Sequence, residues 1–65
     1  MNTETLKNKV YDSLEWLIEE DNLDPEQVRS RINECNVLSD FKGVYVRYGY
    51  TPNESIEILL KLLYN

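Results

Sequence analysis

Histidine is missing from this chain, and cysteine occurs once. Without histidine there is no side chain whose ordinary pKa suits proton transfer near neutral pH, and zinc loses a preferred nitrogen ligand. A single thiol, Cys35, closes no disulfide within the chain. Glycine and proline occur twice each, which leaves no glycine-rich phosphate loop and no low-complexity stretch. Long apolar runs are absent as well. No uninterrupted one is longer than Ile58-Leu59-Leu60, far short of the roughly 20 residues that span a bilayer. The N-terminus has no hydrophobic region of the signal-peptide kind. The expectation is a cytoplasmic protein with a reduced thiol and no membrane association.

Positive charge is also scarce. Seven lysines and arginines stand against twelve carboxylates, a net charge of −5. That opposes broad binding to a phosphate backbone, which needs clustered cations. It is compatible with a basic protein partner, or simply with solubility.

What the chain does contain is an acidic run. Asp12, Glu15, Glu19, Glu20, Asp21, Asp24 and Glu26 lie between Lys9 and Arg29 with no cation among them, and Trp16 sits inside the run. The remaining composition, 42% hydrophobic with five tyrosines, is that of a folded domain rather than a disordered one. Sixty-five residues make a single domain, 1–65, of marginal stability. Dimerisation is a common remedy at this size.

Four segments read as short helices, about 3–21, 25–35, 39–48 and 52–63, so the expected fold is an all-α compact bundle. In the first, Leu6, Val10, Leu14, Leu17 and Ile18 share one side of the helical wheel, with Tyr11 at its margin. Asp12, Glu15 and Glu19 fall on the other side, and Trp16 projects between that cluster and Glu20. Asn2 or Thr3 is the expected cap, and Asn22 the expected end. Asp24-Pro25-Glu26-Gln27 announces the second helix: a capping aspartate, a first-position proline and a glutamine able to close a capping box. Val28, Ile32 and Cys35 form its thin apolar stripe, and Asn36 is its expected stop.

The third segment is ambiguous. Val44, Val46, Tyr48 and Tyr50 alternate as in a strand, while Leu38, Phe41, Tyr45 and Tyr48 recur at helical spacing, with Ser39 as a cap and Gly49 after the end. The alternative fold is therefore α+β, with 43–50 a strand that pairs across a dimer. The helix is favoured, because no second segment reads as a strand and an unpaired strand leaves its backbone groups unsatisfied. The fourth segment opens on Thr51-Pro52-Asn53-Glu54, a cap, a proline and a box-closing glutamate. Its apolar face is broad. Ile56, Leu59, Leu60 and Leu63 form the main stripe, Ile58 and Leu62 widen it, and only Ser55, Glu57 and Lys61 keep a polar side. This exceeds what a small monomer easily covers, and Ile56, Ile58, Leu59, Leu62 and Leu63 are the expected homodimer face. No internal repeat and no linker is expected.

The available chemistry points away from an enzyme. Cys35 has no histidine to activate it, and its expected place near a helix C-terminus disfavours a thiolate, so it reads as a small buried apolar residue. Glu19, Glu20 and Asp21 are contiguous and diverge around a helix rather than converging. Asp21 to Glu26 holds oxygens but lacks the glycine of a calcium loop. No metal or cofactor is expected. A helix-turn-helix reader of DNA would use Lys42 and Arg47, with Tyr45 and Tyr48 beside them. Two cations are few against the acidic excess, so direct nucleic-acid binding is not favoured.

Binding to a protein remains. Acids three and four residues apart on a helix are neighbours and can oppose lysines and arginines. Trp16 would be the anchor of such a face, with Asp12, Glu15, Glu19 and Glu20 around it. The expected function is a small acidic, non-enzymatic regulator or inhibitor that docks on a partner, with covering of a basic DNA-contacting surface one form of it. A structural assembly dimer and a weak DNA-binding regulator are the alternatives.

Two short strings bear on this. Glu15-Trp16 followed by Leu23-Asp24-Pro25-Glu26-Gln27-Val28-Arg29 resembles the helix-turn-helix dimerisation segment of small bacillar antirepressors of the SinI type. Leu38-Ser39-Asp40-Phe41 is similar to a string in phage inhibitors of uracil-DNA glycosylase. Both resemblances imply a phage or bacterial protein that works by occupying another protein, and neither carries residue roles across.

Overall fold

In the computed structural model, which describes residues 2–64, the chain is four helices with no strand among the described residues. α1 spans Thr3–Glu20, α2 Pro25–Asn33, α3 Leu38–Arg47 and α4 Pro52–Tyr64. Each helix packs on its successor and α4 returns to α1, which closes a bundle. This is the all-α architecture expected.

α1 starts where the Asn2 side chain accepts from the Thr5 N–H at 2.8 Å. Leu6, Val10, Leu14, Leu17 and Ile18 are all buried, as the wheel required. The helix stops at Glu20 with Asp21 as its cap, and Asn22, at a left-handed φ of 53°, turns the chain so that the Leu23 N–H closes back on the Ile18 carbonyl at 3.0 Å.

α2 begins with Asp24, but the expected box with Gln27 is not formed. The Asp24 carboxylate accepts from the Glu26 N–H at 3.0 Å, and Gln27 is exposed. The helix also stops at Asn33, before Cys35. The Glu34 N–H reaches the Ser30 carbonyl at 3.2 Å and the Cys35 N–H reaches that of Ile32 at 3.0 Å, so the last turn tightens and Asn36 lies outside it. Cys35 is nevertheless 3% exposed and belongs to the core with Val28 and Ile32.

The strand reading of 43–50 is overturned. Leu38–Arg47 is helical and buries Phe41, Val44 and Tyr45 along one face. Val44 is 6% exposed and Val46 40%, so the valines that alternate as in a strand are separated onto the inside and the outside of a helix. Ser39 is not the cap. The Asp40 carboxylate reaches back to accept from the Asn36 N–H at 2.9 Å and the Val37 N–H at 3.4 Å, which starts the helix one residue earlier. Gly49 ends the turn as expected, at φ 102°.

α4 carries the complete capping box. The Glu54 N–H donates to Thr51 Oγ1 at 3.1 Å, and the Thr51 N–H donates to Glu54 Oε1 at 2.8 Å. These bonds from Thr51 hold the Glu54 carboxyl below its ordinary pKa. A lowered folded pKa contributes stability above the unfolded value, and that contribution is lost as pH falls through the folded one. Thermal melts from about pH 6 to about pH 2 are expected to show a shallower acid-side decline in Glu54→Gln, which keeps an acceptor but does not titrate. An unchanged slope counts against the assignment.

The bundle contains a repeat that residue identities conceal. One shift in numbering carries Asn22 onto Gly49 and Pro25 onto Pro52, and it also superimposes the backbone bonds. Leu23 N–H to Ile18 O and Tyr50 N–H to Tyr45 O are both 3.0 Å. Val28 N–H to Asp24 O and Ser55 N–H to Thr51 O correspond in the same way. The buried positions correspond too: Leu14 with Phe41, Leu17 with Val44, Ile18 with Tyr45, Val28 with Ser55, and Ile32 with Leu59. The turn, the cap and five buried positions of α1 and α2 thus recur in α3 and α4, although α3 is much shorter than α1 and the buried Val10 falls on Val37, 58% exposed.

Candidate partner-binding face

The inner stripe of α1 determines what lies outside. With Leu6, Val10, Leu14, Leu17 and Ile18 facing the core, Asp12, Glu15, Glu19 and Glu20 are exposed, and Trp16 is 57% exposed. The structure thus brings all five expected site residues onto one outward surface, with the indole lying on it rather than folded into the core. None of the four carboxylates has a hydrogen-bond or ion-pair partner among the described residues. Asp24 and Glu26, the last acids of the run, belong instead to the start of α2.

The nearby cations point elsewhere. Lys7 Nζ donates to the Asn33 carbonyl at 2.9 Å, and Lys9 Nζ to the Leu62 carbonyl at 3.2 Å. Arg29 donates to Asn8 Oδ1 at 3.1 Å and lies 4.0 Å over the Tyr11 ring. Each lies at a seam between helices, so the chain's positive charge around α1 is spent on packing, and the outer face is left purely acidic.

The broad face of α4 is divided differently from the expectation. Leu59 is 4% exposed and faces this chain's own core, and Ile58, Leu62 and Leu63 pack against that core half-buried. Ser55, expected on the polar side with Glu57 and Lys61, is instead wholly buried one turn before Leu59, and its hydroxyl donates to the Thr51 carbonyl at 2.8 Å. What remains outside is a narrower edge: Ile56 at 43% and Leu60 at 48% exposure, beside Leu38 of α3.

Other candidate chemistries fare as follows. The Cys35 thiol donates to the Arg31 carbonyl at 3.4 Å, and burial, then the Asp40 charge, push its pKa up, with Lys7 opposing. A buried, protonated thiol is a poor nucleophile. Tyr45, placed beside Lys42 and Arg47 in the DNA-reading alternative, is fully buried and offers no surface to a nucleic acid. No group of three or more acidic or cysteine ligands able to hold a metal occurs among the described residues, and no described helix is long and apolar enough to cross a membrane.

One feature went unread in the sequence. An open groove of about 390 Å³ runs between α2 and α3, lined by Arg31 and Arg47, by the acids Glu34 and Asp40, and by Gly43 and Val44. A glycine inside an amphipathic helix is the signal that marks it. No protein-family model, curated protein or solved structure matches this chain.

Proposed function

We propose that the protein is a small non-enzymatic regulator or inhibitor that docks on a basic protein surface through the outer face of α1. The carrying observation is Trp16: a large aromatic more than half exposed, surrounded by Asp12, Glu15, Glu19 and Glu20, which have no partners of their own. Tryptophan is enriched at binding hot spots, and unpaired acids complement lysines and arginines. A surface that itself contacts DNA phosphates has this chemistry and is the favoured kind of target.

The test is paired. The chain immobilised as bait in a lysate of its host is expected to retain a basic protein that leaves as salt is raised. Trp16→Ala is expected to lose that protein while its thermal melt stays within about 0.5 kcal/mol of the parent, as for an exposed site. Unfolding of Trp16→Ala, or retention indifferent to it, would sink the reading. A second reading, a structural assembly dimer, draws on the exposed edge of Leu38, Ile56 and Leu60. It predicts that Leu60→Glu makes a concentration-dependent dimer monomeric.

A further inference from the structure

Three features of the molecule are unaccounted for by its own packing. Trp16 is exposed. Gly43 interrupts the middle of α3, where glycine is a poor helix former, yet a Cβ added there meets nothing within 4 Å. The Arg31 Nε is buried without an acceptor among the described residues, a need that an indole, a donor only, does not meet. The last two belong to the same groove between α2 and α3.

We propose that this groove receives Trp16 from a second copy of the chain. The inference rests on the binding role given above to the α1 face, and it names a partner for that face. The bulk matches, and the register sets two acids of α1 near two cations of α3. In the repeat, Trp16 and Gly43 occupy the same position of the two hairpins, the largest side chain in one and none in the other. When α1 of one copy lies antiparallel along α3 of the next with Trp16 over Gly43, Asp12 comes level with Arg47, and Glu15 falls on the side of Lys42. The indole then lies in an open groove that Arg31 and Arg47 both line, and guanidiniums are the cations that stack best on aromatic faces. Glu34 and Asp40 also line the groove and oppose the acids of α1; the Asp40 carboxylate is held back by the Asn36 and Val37 amides.

The two surfaces are different patches of one chain, so the contact is head-to-tail, and assembly grows with concentration unless it closes into a ring. It also hides the acidic face, so that self-association competes with binding to a basic partner.

Sedimentation at rising concentration tests this with variants that each keep one half of the contact. Trp16→Ala loses the plug, and Gly43→Gln fills the slot while replacing a poor helix former by a better one. Each alone is expected to be monomeric, with self-association weakened roughly 30-fold or more. Mixed in equal amounts they are expected to form a dimer and stop there. Asp12→Arg and Arg47→Asp should each weaken assembly, and the two together should restore it. Leu60→Glu, on the other edge, should leave it intact. A wild-type chain that stays monomeric, or a Gly43→Gln variant that still self-associates, overturns the proposal. The function reading fails separately: Gly43→Gln keeps Trp16 free, so loss of the basic partner on Trp16→Ala but not on Gly43→Gln supports that reading even where self-association is absent.

Discussion

Tyr45→Ala is expected to lower stability by about 3–5 kcal/mol, the range for emptying a large aromatic site, which consumes most or all of what a domain this small holds. Tyr45 is the largest wholly buried side chain. Its ring stands edge-on to Tyr50 at 5.4 Å, and its hydroxyl bonds that of Ser13 across the bundle. Because the Ser13 O–H already donates to the Val10 carbonyl at 2.7 Å, the tyrosine is the donor in that pair. Tyr45→Phe removes only the donor and should cost about 1 kcal/mol. The two variants also separate in alkali. Burial, with Tyr50 adding to it and Ser13 opposing, raises the Tyr45 pKa. A raised folded pKa gives stability that is full below the unfolded value, near pH 10, and is lost as pH rises through the folded one. Thermal melts should therefore decline above about pH 10 in the wild type and less steeply in Tyr45→Phe. Equal declines would show that Tyr45 is not the group responsible.

The second large effect falls on α2. This helix has nine residues, and only Val28 and Ile32 of them are buried. Ile32 is wholly enclosed, so Ile32→Ala should cost about 2–5 kcal/mol. The loss should also be uneven. A short helix has little intrinsic stability and depends on its packed face. Hydrogen exchange should show the α2 amides losing protection ahead of those of α1 and α4. Uniform loss across all four helices would indicate that α2 is not the weak element.

How much of this could be read beforehand varied with the kind of signal. The capping box at Thr51 and Glu54 and the proline starts of α2 and α4 are local chemistry, and local chemistry is what neighbouring residues encode. α1 was legible for another reason: its apolar residues leave one wheel position empty, and Trp16 occupies the opposite side. The segment from Leu38 to Tyr50 was ambiguous because valine and tyrosine serve strands and helix interiors alike. Tertiary packing of Phe41, Val44 and Tyr45 decided it. The facing of α4 was only partly legible, since its apolar arc is too broad to say which edge of it is covered. Its serine is buried, and buried polar residues are the ones hydropathy misassigns. The groove at Gly43 needs two helices at once, so no single stretch of sequence announces it.

The position of Trp16 has a practical corollary for anyone following this protein by its fluorescence. The chain has one tryptophan, and in the folded state that indole is already largely in water. Unfolding moves it from one wet environment to another, so a denaturation curve read from its emission is expected to be nearly flat even while the bundle melts cooperatively. The tyrosines, Tyr45 above all, carry the optical record of folding. A steady tryptophan signal therefore reports that nothing has covered α1, and not that the structure has survived.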